Sequence, residues 1–188
     1  MSSFSKPETL STDRQGHLCV PVAPSDLLVR FSALLPRYGL ALDVACGGGR
    51  NTLFLARHGL IAAGIDRSRE SLAEGRAAAA GLNLKAAFVQ ADLTRFTLPV
   101  EAFSVIICFK YRDPALYPSM RSALRAGGLV IYETYTAEHR AFGLKPQNPA
   151  HLLERNELRQ AFGNWEIIFY REQWLDCGIA SLVARKPL

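Results

Sequence analysis

The chain has 188 residues and a net charge of +5; 49% of its residues are hydrophobic and 21% are charged. These values are typical of a globular protein of one domain and exclude an intrinsically disordered chain. Its longest apolar runs, such as residues 105–109, are far shorter than the roughly 20 residues that cross a bilayer, so we predict no membrane-spanning segment.

The basic residues and the cysteines are spread along the whole chain. Seventeen of the 22 basic residues are arginines, and no run of five basic residues occurs, so we predict no patch for nucleic acid. The spacing of the four cysteines fits neither a zinc site nor a disulfide framework, which predicts no metal site and favours a reducing compartment. The first 30 residues lack the apolar segment typical of a signal peptide, so we expect a cytoplasmic protein.

Two regions of different character are predicted. Residues 1–24 are polar and contain three prolines, which favours an extended arm or lid; a disordered tail is the alternative. From Ser25 onward, apolar residues recur with the periods of helices and strands. Residues 25–188 are therefore predicted to form the folded domain.

Helical and extended patterns alternate through the predicted domain. Strands separated by helices form βαβ units, which predict a parallel sheet with helices on both faces. A short connection between the last two strands predicts an antiparallel hairpin. The predicted fold is α/β: a doubly wound, seven-stranded, mostly parallel sheet that ends in that hairpin. The predicted helices are 25–35, 50–57, 68–80, 113–125 and 156–162, and the predicted strands are 40–45, 60–65, 84–90, 103–109, 129–133, 165–170 and 179–184.

Acidic residues stand at or near the ends of three neighbouring predicted strands. Asp43 lies in the first strand, Asp66 follows the second and Asp92 follows the third, while three glycines at 47–49 follow the first. In open α/β sheets, ligands bind outside the carboxyl ends of the strands. The glycines let the backbone approach a ligand, and the helix that begins near Arg50 presents free N–H groups to an anion. This pattern predicts an adenosine with an anionic group at its 5′ end, its ribose on Asp66 and its adenine near Asp92.

Two classes of cofactor compete for this pattern. The nicotinamide fingerprint needs a further glycine where the chain has Thr52, and the P-loop pattern is absent. The charge of Asp43 would repel a pyrophosphate but attract an ammonium group. A ligand with an amino-acid end, a ribose and an adenine is S-adenosylmethionine, which is the predicted cofactor.

Four segments in order resemble motifs of the class I S-adenosylmethionine-dependent methyltransferases. Residues 42–49, LDVACGGG, resemble motif I, with Ala45 at its first glycine. Residues 64–66 resemble motif II, residues 91–93 resemble the turn that contacts adenine, and residues 124–130 resemble the segment before the fifth strand. The resemblance covers nearly the whole chain, about residues 27–185.

A narrower resemblance concerns the tellurite-resistance methyltransferases. It is carried by residues 46–56, CGGGRNTLFLA, together with Glu157-Leu158 and residues 164–166. That family implies a small soft nucleophile or an oxyanion as the substrate. The residues on its substrate side are not matched here, so the identity of the methyl acceptor stays open.

The class I resemblance implies a role for each residue of the predicted cofactor site. Asp43 is expected near the methionine ammonium, Asp66 at the ribose hydroxyls and Cys108 beside the sulfonium. The motif I loop is expected to line the methionine portion, and the residues after the second and third strands are expected to surround the adenine. The predicted cofactor-binding residues are Asp43, Ala45, Cys46, Gly47, Gly49, Arg50, Asp66, Arg67, Asp92, Leu93 and Cys108.

The residues after the fourth and fifth strands are the candidates for the acceptor side. Arg112 is a candidate for binding an acidic or oxyanionic substrate, with solvation at the surface as the alternative. Tyr111 is a candidate for facing the sulfonium, with aromatic packing as the alternative. His139 is a candidate general base, with an exposed loop histidine as the alternative. Further candidates beside the acceptor are Lys110, Glu133, Tyr135 and Arg140.

The predicted activity is methyl transfer to a small molecule, which is anionic or a soft nucleophile. The sulfonium already activates the methyl carbon, so the protein has to align the nucleophile with the S–CH3 bond in a dry pocket. Residues 109–114 lack the [DNS]-P-P-[YFW] pattern of the nucleic-acid amino-methylating enzymes, which argues against such a substrate. A nicotinamide oxidoreductase and a non-catalytic module that binds the cofactor are the alternatives.

Overall fold

The computed structural model describes residues 23–188. The predicted N-terminal arm lies outside the described residues, apart from its last two positions. Short 3-10 helices follow the first α-helix and flank the loop after the fifth strand. The α-helices are α1 Asp26–Arg30, α2 Arg50–Arg57, α3 Arg69–Gly81, α4 Leu116–Ala123 and α5 Glu157–Phe162; the strands are β1 Leu40–Val44, β2 Ile61–Asp66, β3 Ala86–Gln90, β4 Phe103–Phe109, β5 Leu124–Tyr135, β6 Glu166–Gln173 and β7 Ile179–Arg185; the 3-10 helices are Ser32–Leu34, Ala137–Phe142 and Pro149–His151.

The strands form one sheet in the order β3-β2-β1-β4-β5-β7-β6. Strands β1 to β5 pair in parallel, and β7 is antiparallel to both β5 and β6. The predicted fold class is thereby confirmed, including the antiparallel end. The strand order reverses between β1 and β4, where Val44 pairs with Cys108, so the ligand-binding edge of the sheet is at the carboxyl ends of these two strands.

The sheet is covered on both faces, which explains the composition of its central strand. All seven residues of β4 are buried, as expected for a parallel strand between two layers of helices. On one face, Ile106 packs in a cluster with Tyr132 and Phe162. On the other, Ile107 packs with Leu28 and Leu55. Among residues 23–188, no helix has the length and apolar character needed to cross a bilayer.

Two predicted helices differ from the structure. The first ends at Arg30 and is followed by a separate 3-10 helix, Ser32–Leu34. The fourth stops at Ala123, and β5 begins at Leu124 rather than at residue 129. Leu124 is buried and pairs with Phe103 across an irregularity in the register. Burial of Leu124 against β4 overrides the helix-forming tendency of residues 124–126.

Candidate cofactor and acceptor site

An open cleft of about 740 Å³ lies at the carboxyl ends of the parallel strands. This volume falls within the range of roughly 300–1,000 Å³ that is common for small-molecule sites. One side is formed by the ends of β1, β2 and β3, and the other by the segments that follow β4 and β5. The lining residues are Ala45, Asp66, Arg67, Ala91, Asp92, Leu93, Thr94, Lys110, Tyr111, Arg112, Asp113, Pro114, Tyr135, Pro146, Ala150 and His151.

The Asp66 side chain fixes the conformation of the turn after β1 by hydrogen bonds to the backbone. The Asp66 carboxylate accepts hydrogen bonds from the backbone N–H of Gly47 at 2.7 Å and of Ser68 at 2.9 Å. Gly47 has a φ of +53°, and a Cβ there would meet no atom within 4 Å, so this part of the turn presents bare backbone to open space. Gly49 has a φ of +77°, and a Cβ there would collide with the ring of Phe88. Both glycines are therefore required, one by conformation and the other also by packing.

Asp43 is a residue of β1, and its side chain is buried against α2. It is 1% exposed, and the Thr52 hydroxyl donates a hydrogen bond to its Oδ2 at 2.7 Å. Burial raises its pKa from 3.8 to about 7, although the bond from Thr52 acts in the opposite direction. The structure thus brings Asp66 and Asp92 together at the cleft and leaves Asp43 beneath it.

The predicted adenine side consists of side chains that follow β2 and β3. Asp92 is exposed, and its Oδ1 accepts hydrogen bonds from the Thr94 backbone at 3.0 Å and the Thr94 hydroxyl at 2.8 Å. These two bonds lower the pKa of Asp92, so it is a carboxylate at neutral pH. Leu93 is buried and Arg67 is exposed, and both line the cleft beside Asp92. The cleft therefore offers a hydrogen-bond acceptor next to an apolar surface.

The other residues of the predicted cofactor site do not line the cleft. Arg50 donates hydrogen bonds to the carbonyl of Ala23 at 3.0 Å and to the Ser25 hydroxyl at 3.2 Å. Cys46 is half-buried against Gly64, where a Cβ would lie 2.6 Å from its sulfur. Cys108 is fully buried, and burial raises its pKa to about 12. Its sulfur is therefore an uncharged thiol in the core.

Arg112 lines the acceptor side of the cleft, but three of its N–H groups are engaged by the protein. Its Nε and Nη2 donate to the two oxygens of Glu157 at 2.9 and 2.8 Å, and its Nη1 donates to the carbonyl of Ala150 at 3.0 Å. The Tyr117 hydroxyl donates to the same carboxylate at 2.6 Å. Burial alone would raise the pKa of Glu157, but the bonds from Arg112 and Tyr117 lower it below its ordinary value, so the carboxylate is charged. Arg112 thereby ties the segment after β4 to the loop before α5.

Tyr111 and His139 differ in their access to the cleft. Tyr111 is half-buried and lines it, and burial raises the pKa of its hydroxyl, which stays protonated at neutral pH. His139 is 1% exposed and lies outside the cleft lining. Its ring stacks on Tyr135 at 4.2 Å, and its Nε2 lies 3.0 Å from the carbonyl of Lys145. His139 is therefore not an exposed loop histidine, and that alternative interpretation is wrong. The residue is buried because the loop after β5 folds over it.

The wall formed by the loop before α5 includes Ala150 and His151, which the sequence does not single out as site residues. Pro146, Ala150 and His151 line the cleft there, and the Glu157 carboxylate holds Arg112 beside them. The residues of this wall form no recognisable sequence motif, because the contacts that hold Arg112 against it join residues about 40 positions apart. No sequence motif includes His151. Glu157 entered only through the narrower family resemblance.

The chain is similar in sequence to a family model and to curated proteins. Residues 41–128 match the family model described as a methyltransferase domain. Hemagglutinin 1 of Eikenella corrodens is 26% identical over 144 residues, which cover 70% of this chain and 45% of that protein. A ubiquinone biosynthesis O-methyltransferase of Coxiella burnetii is 26% identical over 106 residues, which cover 54% of this chain and 45% of that protein. The chain thus spans slightly less than half the length of these curated relatives.

Solved structures share the fold at low sequence identity. TehB from Haemophilus influenzae has a TM-score of 0.70 at 21% identity, covering 86% of this chain and 61% of that one. An S-adenosylmethionine-dependent methyltransferase from Mesorhizobium loti has a TM-score of 0.67 at 20% identity, covering 84% of this chain and 96% of that one. Residues 41–128 are thus similar to a methyltransferase domain, and the chain shares its fold with these solved structures.

Proposed function

We propose that this protein transfers the methyl group of S-adenosylmethionine to a small-molecule acceptor. The observation that supports this proposal is the two-sided cleft at the point where the strand order reverses. The residues after β1, β2 and β3 form one side, and an independent set of residues after β4 and β5 forms the other. A cleft of about 740 Å³ with two such sides suits a cofactor and a small acceptor in contact with each other.

The residues present fit S-adenosylmethionine as the first ligand. Gly47 presents bare backbone in a left-handed conformation, which suits close approach of the methionine portion. Asp66 stands at the end of β2 with a carboxylate suited to the ribose hydroxyls, and Asp92 and Leu93 suit the adenine amine and ring. Asp43, buried beneath the turn, would in its ionised form compensate the charge of the methionine ammonium, which its pKa of about 7 allows from neutral pH upward. When bound, the cofactor supplies an electrophilic methyl group on a sulfonium.

The protein's own contribution is alignment and the exclusion of water. Tyr111, Tyr135 and Pro146 give the acceptor side an aromatic and apolar surface, on which an acceptor would be held in line with the S–CH3 bond. Two side chains of the cleft are suited to hydrogen-bond with the acceptor or to accept a proton from it. The Tyr111 hydroxyl stays protonated and is able to donate a hydrogen bond, while His151 is, among the described histidines, the one that lines the cleft. Imidazole is the usual general base near neutral pH, so we assign this role to His151 for acceptors that must lose a proton.

Cofactor binding is tested by thermal shift with a matched pair of variants. S-adenosylmethionine and S-adenosylhomocysteine should raise the melting temperature of the full chain, whereas NAD and ATP should not. Asp66→Asn removes a charge-assisted contact, so its affinity for S-adenosylhomocysteine should fall at least tenfold, or about 1.4 kcal/mol. Asp176→Asn, an exposed carboxylate outside the cleft, is the control and should bind like the wild type. Equal affinity in the two variants would contradict the proposed cofactor site.

Catalysis is tested separately from binding. The full chain is incubated with S-adenosylmethionine and a small-molecule cell extract, and the release of S-adenosylhomocysteine is measured. Release that depends on the extract supports an enzyme. Cofactor binding without release from any extract would support the alternative of a non-catalytic binding module.

A further inference from the structure

A second cavity of about 350 Å³ adjoins the sheet near the carboxyl end of β5. It lies between α1 and the strands β5, β6 and β7, and we call it the α1 groove. Its polar lining consists of two arginines, two carboxylates and an amide: Asp26 and Arg30 from α1, Glu133 from β5, and Arg171 and Gln173 from β6. None of these residues belongs to the cofactor side of the cleft, so the groove has a separate set of polar groups.

Two guanidinium groups of the α1 groove are held against one aromatic ring. The Cζ of Arg30 lies 4.7 Å from the centre of the Phe169 ring and 5.2 Å from that of Phe31. The Cζ of Arg171 lies 5.9 Å from the centre of the same Phe169 ring. Within residues 23–188, neither arginine forms an ion pair. Stacking orients a guanidinium and leaves its N–H edge available, so both groups can donate hydrogen bonds to an anion in the groove.

Glu133 gives the α1 groove an oriented acceptor. The strand register places Glu133, Ser181 and Arg171 in one row across β5, β7 and β6, so their side chains share one face of the sheet. The Ser181 hydroxyl donates to Oε2 of Glu133 at 2.6 Å, which fixes the carboxylate. A ligand that matches the row carries an anionic group for the arginines and a hydrogen-bond donor for Glu133.

The linings of the α1 groove and of the cleft are adjacent at Tyr135. This residue lines the cleft, and its cross-strand partner Ile179 lines the groove. Tyr135 is two residues after Glu133 on the same face of β5, a separation of about 7 Å. The Lys110 backbone N–H, beside the cleft, donates to the carbonyl of Glu133 at 2.8 Å. A small molecule seated in the groove would therefore extend past Tyr135 toward the methyl group.

We infer that the α1 groove binds the carboxylate of the methyl acceptor, which is a small hydroxy- or amino-carboxylate. Arg30 and Arg171 hold the carboxylate, and Glu133 accepts a hydrogen bond from a second polar group. The acceptor's nucleophilic atom forms a bond to the methyl carbon as the C–S bond breaks, S-adenosylhomocysteine leaves, and any proton on the nucleophile passes to His151 or to water. This inference rests on the proposed function and adds the chemical class of its substrate.

The experiment separates substrates by charge. A small-molecule cell extract is divided by anion exchange, and each fraction, together with a panel of hydroxy- and amino-carboxylates, is tested for release of S-adenosylhomocysteine by the full chain. We expect release from the retained fraction. In Arg171→Gln the catalytic efficiency with that fraction should fall at least tenfold, chiefly through a higher KM, because a charge-assisted bond is lost. Arg171→Lys should recover part of the efficiency.

Controls distinguish this inference from the proposed function. Arg159→Gln removes an exposed arginine of α5 that lines neither cavity, and it should behave like the wild type. All variants should bind S-adenosylhomocysteine with the affinity of the wild type. Loss of that affinity in Arg171→Gln, or absence of release from the retained fraction and the carboxylate panel, overturns the assignment of the groove. If instead the wild type fails to bind S-adenosylmethionine, the proposed function itself is overturned.

Discussion

The two sides of the cleft are held by contacts of different range along the chain. On the cofactor side, Asp43 bonds to Thr52, nine residues away, and Asp92 bonds to Thr94, two residues away. On the acceptor side, Arg112 bonds to Glu157 across 45 residues. The cofactor side is therefore built within consecutive βα units, whereas the acceptor side exists only once distant segments have packed together.

This difference explains why the cofactor side can be recognised from sequence motifs and the acceptor side cannot. A left-handed glycine, a carboxylate at a strand end and a helix start are constraints on neighbouring residues, so they appear as a pattern in the sequence. The pair of Arg112 and Glu157 imposes no local pattern, because its geometry depends on how α5 packs against the sheet. We expect perturbations of the two sides to be separable, and the following predictions test this from the largest effect to the smallest.

Asp43 should give the cofactor side a strong dependence on pH. Burial raises its pKa from 3.8 to about 7, so between these values the folded protein keeps a proton that the unfolded chain has released. The free energy of unfolding should therefore fall as the pH rises through this range, by up to about 4 kcal/mol. Urea unfolding of the wild type and Asp43→Asn at pH 4 and pH 8 measures most of this fall. A fall of the same size in both proteins would contradict the role of Asp43.

Gly49 should be the most sensitive glycine of the turn. A Cβ would collide with the Phe88 ring at a position whose φ is +77°, so Gly49→Ala should lower the free energy of unfolding by about 3 kcal/mol. Gly47→Ala is the matched control, because it has a similar φ but free space, and should cost about 1 kcal/mol. Urea unfolding compares the two variants; equal costs would show that packing on Phe88 is unimportant.

Glu157 should stabilise the acceptor side without affecting the cofactor side. Its side chain is 13% exposed, and Glu157→Gln leaves the Arg112 guanidinium uncompensated, so the free energy of unfolding should fall by about 2 kcal/mol. Hydrogen exchange of residues 149–157 should accelerate, while the affinity for S-adenosylhomocysteine stays near that of the wild type. A large loss of cofactor affinity would mean that the two sides are coupled.

The exposed ion pair of Arg155 and Glu138 should matter least. The Nε of Arg155 lies 2.6 Å from Oε1 of Glu138, but the arginine side chain is 68% exposed. Water and salt screen such a pair, so Arg155→Gln should leave the melting temperature unchanged within experimental error. A clear decrease would show that this surface contact, beside the stacked Trp174, holds the loop over His139.

The fold was largely predictable where burial and local propensity agree. Strand β4 begins at Phe103 and ends at Phe109, as predicted. The prediction was accurate because a fully buried strand is a continuous run of apolar residues. Strand β5 begins five residues before its predicted start at residue 129, because Leu124 pairs with Phe103 although its own neighbours favour a helix. In the site, Asp66 and Asp92 were found by their position after strands, whereas the burial of His139 depends on a loop that folds back from more than ten residues away.

The amino-acid sequence by itself determined the order of strands and helices, the glycine turn and the carboxylates at the strand ends, because each depends on residues close together in the chain. Only the tertiary structure decided that Asp43 is buried beneath the turn, that Glu157 holds Arg112, and that Arg30 and Arg171 share the ring of Phe169. The physical reason is that burial, and with it the pKa of a carboxyl or the pairing of an arginine, is set by whichever distant segments pack around a side chain.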